Sequence, residues 1–117
     1  MKAIGIVGSR RRNTPEDFRL CKEAFLTVYE PGDTIVSGGC PTGGDRFAEV
    51  IAAKHGVPIK IHPAQWSLYG RSAGFQRNGL IAADADVVIA VVSGDRTGGT
   101  EDTIRKAEKQ GKEIILV

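Results

Sequence analysis

Short β-branched runs alternate along this chain with longer stretches in which apolar residues recur every three or four positions. The short runs predict strands at about residues 2 to 8, 34 to 37, 58 to 62, 86 to 92 and 113 to 117, and the longer stretches predict helices between them. Such alternation is the pattern of βαβ units around a parallel sheet. The run Val87-Val88-Ile89-Ala90-Val91-Val92 shows no polar alternation, as a strand covered by helices on both faces requires, and is placed centrally.

Local chemistry marks the helix ends. Thr14-Pro15-Glu16-Asp17 supplies a cap, a proline for the first turn and two carboxylates for the positive end of the dipole. Phe18, Cys21, Ala24, Phe25 and Val28 follow at helical spacing, and Pro31-Gly32 ends the segment. A second helix is predicted from about Asp45 to His55, with Gly56 as its C-cap and His55 exposed at its end. A third runs from about Ser72 to Ala83 and a fourth from about Gly99 to Gln110. The longest irregular stretch is Pro63 to Arg71, which carries Trp66 and Tyr69. The fold class is therefore α/β: residues 1–117 as a single-domain, Rossmann-like three-layer sandwich around a five-stranded parallel sheet.

Composition narrows the class further. The chain is 41% apolar and 26% charged, and no apolar run approaches the roughly 18 residues that span a bilayer. The N-terminal stretch is too short and too glycine-punctuated for a signal-peptide core, which predicts a cytoplasmic location and no membrane partner. Cys21 falls on an apolar helical stripe and Cys40 in a glycine loop, without metal-ligand spacing, so neither a disulfide, a metal nor a cofactor is expected. The net charge of +2 is small, but seven of the nine arginines (Arg10, Arg11, Arg12, Arg46, Arg71, Arg77, Arg96) lie in or beside glycine-rich turns.

Those turns follow predicted strands: Gly8-Ser9-Arg10, Ser37-Gly38-Gly39 continuing to Gly44-Asp45-Arg46, and Ser93-Gly94-Asp95-Arg96-Thr97-Gly98-Gly99-Thr100. Strand, glycine turn and helix together aim backbone N–H groups and a helix end at an anion, and arginine adds bidentate donors. With the common strand order 3-2-1-4-5, the crevice between strands 1 and 4 collects these loops at one site. The partner read from this is a phosphorylated small molecule, a nucleotide or a derivative. No G-x-G-x-x-G follows strand 1 and no glycine run leads to lysine and then serine or threonine, so neither the dinucleotide nor the Walker fingerprint applies.

The glycine motifs, together with Pro63-Ala64-Gln65-Trp66, Tyr69-Gly70-Arg71-Ser72-Ala73-Gly74, Arg77-Asn78 and Gly98-Gly99-Thr100 with Asp102, resemble the YspA-like branch of the SLOG superfamily over almost the whole chain. The resemblance implies a Rossmann-like domain for nucleotides or nucleotide-derived ligands. Its relatives include lonely guy phosphoribohydrolases, DNA-processing proteins, molybdenum-cofactor carriers and sensors of signals derived from NAD. The hydrolases carry P-G-G-x-G-T-x-x-E, and here the glutamate position holds Thr103, which argues for binding over turnover.

Roles are assigned accordingly. Ser9 and Arg10 contact phosphate or ribose, beside Gly8, and Ser37, Gly38, Gly39, Gly44, Gly98 and Gly99 line the approach; Thr100 adds a hydroxyl at the helix end. Asp45 is either a helix cap or an acceptor for ribose hydroxyls. Trp66 either stacks on a base, as does Tyr69, or plugs the core edge. Arg46, Arg71, Arg77 and Asn78 are placed in the binding site, and Arg11 and Arg12 are read as solvated. Glu101 and Asp102 are either first-turn carboxylates or, with Asp45, catalytic candidates. Three functions follow in order: a sensor or carrier that binds a nucleotide derivative; a hydrolase of N-glycosidic or phosphoribosyl bonds; and a single-stranded nucleic-acid module, against which low net charge and few aromatics argue. Self-association is left open.

Overall fold

The computed structural model describes all residues, 1–117. Five parallel strands, β1 (Ala3–Gly8), β2 (Thr34–Ser37), β3 (Ile59–Ile61), β4 (Val87–Val91) and β5 (Glu113–Leu116), form one sheet in the order β3-β2-β1-β4-β5. The connecting helices are α1 (Pro15–Val28), α2 (Gly44–His55), α3 (Trp66–Tyr69), α4 (Ala73–Asp84) and α5 (Gly99–Lys109). None is long and apolar enough to cross a membrane.

The two-residue period of the strands sorts their side chains into two cores. Ile4, Ile6, Val87, Ile89 and Val91 meet Cys21 and Phe25 of α1 and Phe47 and Ile51 of α2. Val7, Val88 and Ala90 meet Ile81 and Ala82 of α4 and Ile104 and Ala107 of α5. The result is the Rossmann-like three-layer sandwich expected. β4 is buried along its whole length between β1 and β5, while β1 holds the geometric centre.

Thr14 caps α1 as anticipated: its hydroxyl accepts from the Asp17 N–H at 3.1 Å, and the Asp17 carboxylate accepts from the Thr14 N–H at 3.2 Å. The stretch Pro63 to Arg71, expected to be irregular, contains α3 and leads into a 3₁₀ turn at Gly70–Ser72. Its short mixture of apolar and polar residues carries too few positions to register a helical period.

α2 begins flush against the end of β1. A Cβ on Gly44 would collide with the Val7 carbonyl carbon and the Gly8 nitrogen, and one on Gly8 would lie 3.0 Å from the Gly44 Cα. Glycine is needed at both positions for the backbones to touch. Asp33, buried beside the start of β1, accepts from the Lys2 N–H at 2.8 Å, from Lys2 Nζ at 2.6 Å and from the Glu30 N–H at 2.9 Å. Burial pushes this carboxyl up, but these hydrogen bonds outweigh it and hold its pKa at about 2.

Two predictions follow from this packing. Gly44→Ala destabilises by about 1–3 kcal/mol through overpacking, whereas Gly79→Ala, in open space inside α4, stabilises by about 0.5–1 kcal/mol; urea denaturation of the two variants reads both signs. A carboxyl whose folded pKa is depressed contributes stability above its unfolded value near 4 and loses it as pH falls towards about 2. Asp33→Asn is therefore less stable than wild type at pH 7, and circular dichroism of acid unfolding shows the gap closing between about pH 4 and 2.

Candidate functional site

The β1 crossover runs to α1 on one face of the sheet and the β4 crossover to α5 on the other, so the chain parts above two neighbouring strand ends. A cleft of about 310 Å³ opens there. Gly8, Ser9, Arg10 and Arg11 form one wall; Thr97 to Thr100 and Thr103 form another; Cys40 and Asp45 come from the β2–α2 side, and Arg77, Asn78 and Ile81 from α4.

Two helices start beside it without side-chain caps. Gly43 precedes α2 and Gly98 precedes α5, the latter at φ +97°, a conformation other residues rarely adopt. The first N–H groups of α5 are thereby left for an outside acceptor, and the positive end of its dipole faces the cleft.

The cationic side chains differ in how they are occupied. Arg10 is exposed on the cleft wall and makes no ion pair, while its neighbours do. Arg11 donates to Asp95 through both nitrogens, at 2.6 and 3.1 Å, and to Thr97 Oγ1 at 3.3 Å, which links the two loops across the mouth. Hydrogen bonds from Arg11, Thr97 and Ser93 hold the Asp95 carboxyl well below the usual carboxylate range. Arg12 is not solvated as expected. It donates to Asp17 at 2.7 Å and to the Val92 and Val117 carbonyls at 2.9 and 2.8 Å, anchoring the β1–α1 loop to the ends of β4 and β5.

Arg77 Nη1 donates to the Gly38 carbonyl at 3.0 Å and Nε to Asn78 Oδ1 at 3.0 Å. Asn78 Nδ2 donates in turn to the Gly99 carbonyl at 3.2 Å and to Asp102 at 3.1 Å. Asn78 thus spends its amide on bracing Arg77 against the first turn of α5. Asp102 lies behind it, paired with Lys106 at 2.8 Å. Asp45 is buried, accepts from the Cys40 N–H at 3.1 Å and stands 3.1 Å from Ser37 Oγ. Its pKa is raised by burial, against the pull of the Cys40 N–H, the Arg77 charge, Ser37 and the Gly38 N–H.

Several sequence-assigned residues stand outside the cleft lining. Arg46 is exposed, with its guanidinium 6.0 Å from the centre of the Phe47 ring. Trp66 and Arg71 are exposed on α3 and the turn after it. Glu101 is held by Arg96 through both oxygens, at 2.8 and 3.0 Å. Ser37, Gly38, Gly39 and Gly44 form the layer beneath, where Ser37 Oγ donates its proton to the Ile6 carbonyl at 2.6 Å. Tyr69 borders a smaller hollow of about 100 Å³ that shares Arg77 with the cleft. Arg11, Cys40, Thr97 and Thr103 line the cleft without having been assigned to it. The glycine spacing around Thr97 and Thr103 was the available signal for those two.

No family model matches the chain. It is 34% identical over 124 residues to the Gene 61 protein of Mycobacterium phage D29, across 98% of this chain and 95% of that one. The chain belongs to the family of that phage protein. Among solved structures, the family's fold is matched by the molybdenum cofactor binding protein from the phototrophic bacterium Rippkaea orientalis, with a TM-score of 0.76 and 24% identity over 98% of this chain and 75% of that one. At that identity the likeness concerns the fold alone.

For this family member, the bracing role of Asn78 has a measurable consequence. Asn78→Ala leaves Arg77 Nε without its partner and takes a donor from the Gly99 carbonyl and Asp102, and urea denaturation is expected to show a loss of about 1–3 kcal/mol. Asn78→Asp, which keeps the acceptor for Arg77 but places a second carboxylate against Asp102, is expected to lose at least as much.

Proposed function

We propose that this protein binds a small phosphorylated ligand derived from a nucleotide, as a sensor or carrier of the SLOG type and of its YspA-like branch, acting in the cytoplasm. The observation that carries this reading is the convergence, at one crevice, of the unpaired Arg10, the braced Arg77 and the uncapped start of α5 at Gly98, Gly99 and Thr100. A dianionic phosphate group satisfies all three at once: it accepts from guanidinium and backbone N–H groups and sits at the positive helix end.

Size supports a small molecule. A cleft of about 310 Å³ is at the lower end of the range for small-ligand sites, and the net charge of +2 offers little to a nucleic-acid strand. The architectural neighbour is described as a molybdenum cofactor binding protein, which is in keeping with a small-molecule ligand. Thr103, at the position of the hydrolase glutamate, turns its hydroxyl to the Gly99 carbonyl at 3.4 Å, leaving no carboxylate there. A hydrolase of N-glycosidic or phosphoribosyl bonds is the second reading, favoured by Asp45, a buried carboxyl with a raised pKa at the cleft.

A thermal-shift screen with nucleoside mono- and diphosphates tests the first reading: a ligand at about 100 times its dissociation constant stabilises by roughly 2.7 kcal/mol. Arg10→Ala is expected to fold normally and to lose about 10- to 150-fold in affinity for the best compound, the worth of a charge-assisted hydrogen bond. A change below about threefold in calorimetric titration would remove Arg10 from the site. Release of free base from a nucleoside monophosphate, abolished in Asp45→Asn, would install the hydrolase instead.

A further inference from the structure

Asp45 is the one carboxylate on a cleft otherwise furnished for anions. It is 8% exposed, and its place is built: Oδ1 stands 3.1 Å from Ser37 Oγ, whose proton goes to the Ile6 carbonyl, and the Cys40 N–H donates to Oδ2 at 3.1 Å. An ionised carboxyl offers about four acceptor sites. The protein therefore leaves acceptor capacity unfilled, on a group that borders the cleft.

The cation beside it is engaged elsewhere. Arg77 spends Nη1 on the Gly38 carbonyl and Nε on Asn78, and forms no ion pair with Asp45. A Cβ on Gly38 would come within 2.6 Å of Arg77 Nη1 and 2.8 Å of Asp45 Oδ2, so the two charged groups flank the same bare backbone. A ligand group entering here meets a carboxylate acceptor and a guanidinium donor together. A phosphate is repelled by the first. A hydroxyl satisfies both, because it donates through hydrogen and accepts through oxygen.

Resting on the reading of the cleft as a phosphate-binding site, we propose that Asp45 is a specificity-determining residue that accepts a hydrogen bond from a sugar hydroxyl. The ligand class is thereby narrowed to phosphorylated sugars and nucleotides with free ring hydroxyls, bound with the phosphate at Arg10 and the α5 start and the sugar towards Asp45. Deoxy analogues leave the buried carboxylate with an unpaired site, and they are discriminated against for that reason.

The test uses calorimetric titration of the intact protein with inorganic phosphate, with AMP, GMP, CMP and UMP, and with their 2′,3′-dideoxy counterparts. The expected result is that the ribonucleotides that bind are weakened about 10- to 150-fold in dideoxy form. In Asp45→Asn that ratio falls to within about threefold, while inorganic phosphate, relieved of the carboxylate's repulsion, binds at least as tightly as to the wild type. A wild-type ratio below about threefold overturns the role of Asp45, and needs no variant to fold. Phosphate that binds without any gain from an attached ribose overturns the sugar assignment while the anion site stands. Failure of phosphate and every nucleotide to bind overturns both.

Discussion

The contact between the backbones of Gly8 and Gly44 fixes the geometry on which the site depends. Because neither residue has a side chain, the first turn of α2 rests directly on the end of β1. The next residue, Asp45, is carried to the same crevice as Ser9 and Arg10, although its strand, β2, ends away from the switch point. With a side chain at either position the helix would stand off from the sheet, and Asp45 would lose its seat over Ser37.

Charge is distributed around that geometry with a clear division. Arg12 is committed to the Val92 and Val117 carbonyls, Arg96 to Glu101, and Lys106 to Asp102. Arg11 is shared between the cleft mouth and Asp95. What stays open to a ligand is Arg10, the remaining face of Arg77 and the helix-end amides. A positive crevice is thereby obtained in a chain of low net charge, with Arg11 and Arg12 employed in joining separate loops.

The strand order came from the order common to such sheets. The alternation of β-branched and helical runs made the layers readable, since strand periodicity, helix caps and glycine turns are all encoded within a few neighbouring residues. The Gly98-Gly99-Thr100 and Gly8-Ser9-Arg10 loops were readable for the same reason. What escaped involves residues distant in the chain. Asn78 braces Asp102 across 24 positions, Arg11 meets Asp95 across 84, and Arg12 reaches Val117 across 105. No local pattern distinguishes these arginines from solvated ones. Trp66, as a loop aromatic, and Arg71, as an arginine beside a glycine turn, were assigned to the site, but α3 and the turn after it hold them on the exterior.

The Arg12 anchor has a further consequence for motion. β5 is an edge strand, bonded to β4 alone, and edge strands are among the first elements to open in local unfolding. When β5 peels away, the Val117 carbonyl leaves Arg12, and the loop bearing Ser9 and Arg10 loses part of its hold on the sheet. A molecule seated on that loop therefore has to work against the opening of a strand it never touches. Occupancy of the cleft should slow amide hydrogen exchange along Ile114 to Leu116, so that the far edge of the sheet reports on the state of the crevice.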